Sequence, residues 1–267
     1  QPPIEVPQGA IRLNTDSQRL EFFAQDRWYE FATDSPTLDG GARGVFFGGA
    51  PSGQSYTKMN FITISTQGDA GDFGDLATLH NQGAAAASNT RGLYAGGENP
   101  SVTNTIEFIT FSSTGDSQDF GDMTDQRRRM NGMGCSNQTR ALFSGGYDGS
   151  SGGTLNTIDF VTIASTGDAK DFGDTTQRTE SGSCFASPTR GLIFGGRQQP
   201  ANSTLGNIDF VTIPTLGNAH DFGDMTVTRF ATQSCSNSIR GVSFAGGVSP
   251  GGKGKVIDFV TIATLGN

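Results

Sequence analysis

The chain has 267 residues, with Gly 39, Phe 20, Tyr 4, Trp 1, His 2 and Cys 3, a net charge of −8 and 16% charged residues. Glycine is about twice its usual ~7% share and charge is well below the usual ~25%, which excludes charge-driven disorder, collagen and helical bundles and leaves a turn-rich β protein. The acidic balance argues against binding to nucleic acid or insertion at an anionic membrane, no apolar run approaches the ~18 residues of a span, and three cysteines without paired spacing predict reduced thiols.

Along the chain, QPPIEVPQGA lacks the basic start and apolar middle of a secretory signal. Residues 1–40 then carry Leu20-Glu21-Phe22-Phe23 and Arg27-Trp28-Tyr29-Glu30-Phe31, whose alternation predicts a β-hairpin. Residues 41–267 repeat. GARGVFFGG, NTRGLYAGG, QTRALFSGG, PTRGLIFGG and SIRGVSFAGG place arginines at Arg43, Arg91, Arg140, Arg190 and Arg240, in steps of 48, 49, 50 and 50 residues. Each is followed by a segment such as IDFVTI and, in four copies, by DFGD; the fifth copy stops at TLGN. Each unit thus predicts about four short strands: a small-residue strand, the arginine strand, the IDFVTI strand and an outer DFGD strand.

This pattern resembles kelch repeats in the double glycine closing a strand (Gly145-Gly146), the acidic-aromatic strand (Ile158-Asp159-Phe160) and an arginine after the outer strand (Arg178, Arg229). It departs from them in placing Phe where kelch blades carry Tyr and Trp. The resemblance implies an all-β, five-bladed β-propeller, with a β-solenoid or a row of small sandwiches as the alternatives. The N-terminal hairpin is expected to complete the last blade, which would otherwise keep an open edge. Gly9-Ala10-Ile11-Arg12-Leu13-Asn14-Thr15-Asp16, then Leu20-Glu21-Phe22 and Trp28, resembles a hairpin module of bacteriophage tail fibres, and the repeat array is similar to those of phage structural proteins. Both resemblances imply a virion protein assembled in the host cytoplasm, homo-oligomeric, with other virion proteins as partners.

Nearly every notable polar residue recurs in each repeat, whereas an active site breaks symmetry; the expectation is no enzyme and no cofactor. Arg43, Arg91, Arg140, Arg190 and Arg240 are expected to pair with the repeated aspartates Asp75, Asp122, Asp174 and Asp224 and so fix strand register. The DFGD aspartates read as turn caps, with calcium at Asp168, Asp171 and Asp174 the weaker alternative. Glu98, Asp148 and Glu180 break the repeat but show no evident partner. His80 aligns with Arg129, Arg178 and Arg229. Cys135, Cys184 and Cys235 share one position and are expected to be buried and to resist thiol reagents.

The loops after the double glycine, Ala50–Lys58, Glu98–Thr103, Tyr147–Leu155, Arg197–Leu205 and Val248–Lys255, vary most. Tyr56, Tyr147, Arg197, Gln198, Gln199 and Asn202 are therefore the ligand-binding candidates, with the chemistry to contact host-surface polysaccharide or protein. The expected role is host attachment by a tail-fibre or tail-associated propeller. An architectural capsid or neck decoration is the alternative, and a polysaccharide depolymerase a third reading.

Overall fold

The computed structural model describes residues 6–14, 19–30, 43–49, 56–98, 100–149, 153–249 and 251–264, and none of these is helical. Phe31, residues 50–55, 99, 150–152 and 250 of the variable loops, and residues 265–267 lie outside the described residues. The chain divides into two compact units, residues 1–37 and 38–267.

The first unit is a three-stranded antiparallel sheet of β1 (Ile11–Asn14), β2 (Arg19–Ala24) and β3 (Arg27–Glu30). Its tight turn is made without glycine: Gln25 and Asp26 both take positive φ, at 48° and 59°, and the Gln8 side chain bonds to both residues. Arg12 pairs with Glu21 at 2.8 Å and lies 4.0 Å over the Trp28 ring, while Phe22 stacks on Tyr29 at 5.5 Å.

The second unit is a series of antiparallel meanders, one per sequence repeat. Their strands in chain order are β4 (Arg43–Phe47), β5 (Lys58–Thr63) and β6 (Gly71–Asp75); β7 (Ala84–Ala87), β8 (Arg91–Ala95), β9 (Thr105–Thr110) and β10 (Gln118–Asp122); β11 (Gly134–Ser136), β12 (Arg140–Ser144), β13 (Thr157–Thr162) and β14 (Lys170–Asp174). Then come β15 (Ser183–Ala186), β16 (Arg190–Gln198), β17 (Ser203–Thr212) and β18 (His220–Asp224), and finally β19 (Gln233–Ser236), β20 (Arg240–Phe244), the short pair β21 (Gly247–Val248) and β22 (Gly252–Lys253), and β23 (Ile257–Thr261).

The third strand of each complete repeat is buried on both faces, which is why it reads as an apolar run: Ile158, Asp159 and Val161 are all buried. Its phenylalanine meets the outer-strand phenylalanine edge to face, as in Phe108–Phe120 and Phe160–Phe172, both at 5.9 Å. The DFGD glycine is required by geometry. Gly173 takes φ +143° at a register shift between Ile158 and Asp159, and a Cβ there would stand 2.5 Å from the Gly217 carbonyl oxygen of the next repeat. That next turn clamps the outer strand through Gly217 N–H to Phe172 O at 2.9 Å and Ala219 N–H to Asp174 O at 2.7 Å.

Three expectations are corrected. Four of the five repeated arginines take partners other than the DFGD aspartates. Arg43, Arg91, Arg140 and Arg190 instead donate to main-chain carbonyls of the following repeat, at Phe111, Ile163, Ile213 and Ile262, over 2.8–3.0 Å. Each of these four and Arg240 also lies 4.7–5.0 Å over the third-strand phenylalanine of its own repeat. The equivalents of His80 are Arg127, Thr179 and Arg229, each five residues beyond the last DFGD aspartate, so Arg129 and Arg178 are offset. Cys135 and Cys184 are buried but Cys235 is exposed. β11 and β15 lie against a first strand on either side, and β19 lies against β15.

Candidate functional site

The second unit places two side chains per repeat at one recurring backbone contact. The link leaving each outer strand forms a single β-bridge to the residue seven positions beyond the next repeat's arginine, pairing Asn81 with Glu98, Arg128 with Tyr147, Glu180 with Arg197, and Phe230 with Gly247; in the first three that residue follows the double glycine, and in the last it follows Ala245-Gly246. The following residue takes a positive φ in every case although none is glycine: Gln82 at 63°, Arg129 at 57°, Ser181 at 54° and Ala231 at 51°. The backbone repeats here while the chemistry changes completely, from amide–carboxylate to guanidinium–phenol, carboxylate–guanidinium and aromatic–glycine. Left-handed conformations in non-glycine residues cost of order 1 kcal/mol or more each and cluster where function holds them.

These side chains join into one band. Gln82 donates to Glu98 at 2.9 Å, and Arg128 forms an ion pair with the same carboxylate. Arg128 and Arg129 both lie over Tyr147, at 5.3 and 4.7 Å from the ring centre. Arg129 then reaches both oxygens of Glu180, at 3.0 and 3.2 Å. Gln199 bridges Glu180 and Asn202 at 3.4 Å each, Asn202 accepts from Arg197 at 3.1 Å, and Arg197 covers Phe230 at 3.8 Å. Arg129 keeps about a third of its side chain exposed, whereas Glu180 beneath it is buried at 1%. Guanidinium groups, aromatic rings and amides thus share one half-exposed surface, rich in planar hydrogen-bond donors.

Of the residues expected from the sequence, Tyr147, Arg197, Gln199 and Asn202 fall in this band. Gln198 ends β16, half-buried and opposite Ser203, and Tyr56 stands exposed outside the band. Glu98 and Glu180, read as lacking partners, are both ion-paired. Arg128, Arg129 and Phe230 were missed; the run Arg127-Arg128-Arg129 was the available signal.

Two of the three calcium candidates are engaged with the backbone through their carboxylates, while Asp174 donates its N–H to Asn218. Asp168 accepts from Asp122 N–H at 3.1 Å and Asp171 from Gly173 N–H at 2.9 Å, and no group of three or more potential metal ligands occurs among the described residues. Asp72 and Asp221 make the same turn contact as Asp171, to Gly74 and Gly223, and Asp75 accepts from Thr57 and Lys58.

A second titratable cluster lies in the core. Glu107 is 1% exposed; burial pushes its carboxyl up, but His80 3.6 Å away and hydroxyl donors from Ser117 and Thr78 outweigh that and hold it down, at about 2. Ala77 and Thr78 N–H groups add two more donors. This is a buried structural anchor, closed to a ligand. Comparison of the sequence with protein-family models and with curated proteins returns no match.

Proposed function

We propose that the second unit is a five-bladed kelch-like β-propeller and that it attaches its bearer to a host-surface glycan through the band from Glu98 to Phe230. The propeller reading is supported by contacts between repeats that are not neighbours. A Cβ on Gly132 would stand 3.4 Å from Gly182 O and 3.5 Å from Thr232 O, so the third, fourth and fifth repeats meet at one point. An open pocket of about 380 Å³ is likewise lined by Phe46 and Phe47 of the first repeat, Gln82 of the second, Gly132 of the third and Gln233 of the fifth. Repeats stacked in a solenoid or strung in a row would keep the first and fifth apart; blades around an axis bring them together.

The observation that carries the binding role is the band itself: a backbone contact of constant geometry whose side chains differ in every repeat. Its carboxylates sit in ion pairs with arginine, an arrangement that favours recognition over acid catalysis. The assignment to a phage virion, assembled in the host cytoplasm as a homo-oligomer with other virion proteins, rests on the sequence resemblance. Multivalent display on a particle would make weak single sites adequate. A glycan array compared between the native chain and Tyr147→Ala tests the reading. Retained signal in a folded variant refutes the band, binding only to virion proteins favours architectural decoration, and release of reducing sugar exposes a depolymerase.

A further inference from the structure

The third repeat carries two residues that its sisters lack, and they sit where three repeats meet. In the second, fourth and fifth repeats the left-handed residue, Gln82, Ser181 or Ala231, stands two positions before the opening pair of the first strand, Ala84–Ala95, Ser183–Phe194 or Gln233–Phe244. In the third, Arg129 stands four positions before Met133, whose carbonyl takes the Ser144 N–H at 3.1 Å in the place of that pair. The extra length forms a β-turn closed by Met133 N–H to Met130 O at 2.7 Å, with Asn131 and Gly132 at its corners. Both methionines are fully buried, so the turn is held at its base while Asn131 is exposed.

Asn131 is the one asparagine of the sequence that precedes a glycine. Its side chain and the Gly132 N–H make no hydrogen bond among the described residues. Gly132 takes φ +80° and has no Cβ to shield its nitrogen. The two asparagines that precede serine are tied down. Asn202 Oδ1 accepts from Arg197 at 3.1 Å, and Asn237 Oδ1 accepts from the N–H groups of Ile239 and Arg240 at 2.8 and 2.7 Å.

We propose that Asn131-Gly132 is a site of spontaneous covalent modification, through which the chain gains a carboxylate at the meeting point of its repeats as it ages. The Gly132 nitrogen adds to Cγ of Asn131, its proton and the Nδ2 group leave together as ammonia, and a succinimide ring closes. Water then opens the ring at either carbonyl. Attack at Cγ leaves aspartate; attack at the main-chain carbon leaves isoaspartate, with an extra methylene in the main chain. The reaction consumes only water and needs no enzyme, oxidant or cofactor. The lengthened main chain bears on a contact between repeats, because Gly132 O accepts from Cys184 N–H of the fourth repeat at 2.6 Å.

The test incubates the full native chain and the same chain in concentrated urea side by side at mildly alkaline pH, and follows each asparagine by peptide mass mapping with enzymatic labelling of isoaspartyl groups. In the native chain Asn131 should convert roughly tenfold faster than any other asparagine, and within about threefold of its rate in the unfolded chain. Asn131→Gln, whose longer side chain must close a larger ring, should form roughly tenfold less product at that position. A native chain that keeps the Asn131 amide while the unfolded chain loses it overturns the proposal, since the turn would then protect the site. So does faster conversion at Asn202 or Asn237. The readout is chemical and needs no ligand, so it stands apart from the glycan reading.

Discussion

Arg127 of one repeat and Asp159 of the next form an ion pair in which neither side chain has any solvent exposure. Arg127 also donates to the carbonyls of Gly145 and Thr157, and Asp159 accepts from the backbone and hydroxyl of Thr124. Arg229 and Asp258 repeat the arrangement two units later. A buried pair is not in itself a strong source of stability, but removing one partner strands a charge. Arg127→Ala should therefore cost about 3 kcal/mol, toward the lower end of the range because Thr124 still serves Asp159. Chemical denaturation checks this; a loss below about 1 kcal/mol would mean that water enters the site.

At the corresponding position of the preceding interface the acceptor is Glu107 and the basic residue is His80, 3.6 Å away. The folded carboxyl is depressed from 4.5 to about 2. The stabilisation is thus complete above pH 4.5 and is lost as the pH falls toward 2, where the folded state also protonates. The shift corresponds to about 3 kcal/mol. Acid titration of stability should show this limb in the native chain and not in Glu107→Gln. Ser117→Ala, which removes one of the hydroxyl donors, should move the limb to higher pH.

The three cysteines should separate in reactivity although they share a repeat position. Cys235 is exposed, whereas Cys135 and Cys184 are buried and burial pushes the Cys184 thiol well up. A colourimetric thiol reagent should titrate one sulfhydryl quickly under native conditions and the other two only on unfolding. Rapid reaction of all three would show that the first strands open readily.

The strands and their repeat were legible because apolar alternation and double glycines are local signals. The partners of the repeated arginines were not. Arginine and aspartate recurring at one period suggest a pair, but Arg140 bonds the Ile213 carbonyl, and a main-chain acceptor leaves no mark in sequence. The run Arg127-Arg128-Arg129 hid three roles in adjacent residues: a buried pair to Asp159, a half-buried pair to Glu98, and a pair from partly exposed Arg129 to buried Glu180. Arg129 takes a positive φ, and its side chain reaches Glu180 where that of Arg127 reaches Asp159. Four of the band's ten side chains were nevertheless anticipated, since Tyr147, Arg197, Gln199 and Asn202 lie where loop chemistry varies most.

Gly132 offers a test of how the repeats are arranged. It takes φ +80°, and a Cβ would come within 3.4–3.6 Å of Gly182 O, Thr232 O and the Ser183 Cα, atoms of the two following repeats. Gly251 has a similar φ of +89° but nothing within 4 Å of the same added atom. Leucine at either position bears the same left-handed strain, of order 1–2 kcal/mol, so the comparison isolates the steric part. If the repeats converge on an axis, Gly132→Leu adds three carbons beyond a Cβ already in contact with the backbone of two of them, and overpacking of this kind costs a further 1–3 kcal/mol or so. The expected result is a melting temperature for Gly132→Leu several degrees below that of Gly251→Leu, with β-sheet circular dichroism retained in both below the transition. Equal melting temperatures would mean that the point at Gly132 opens freely, and repeats joined only to their immediate neighbours would then replace the ring.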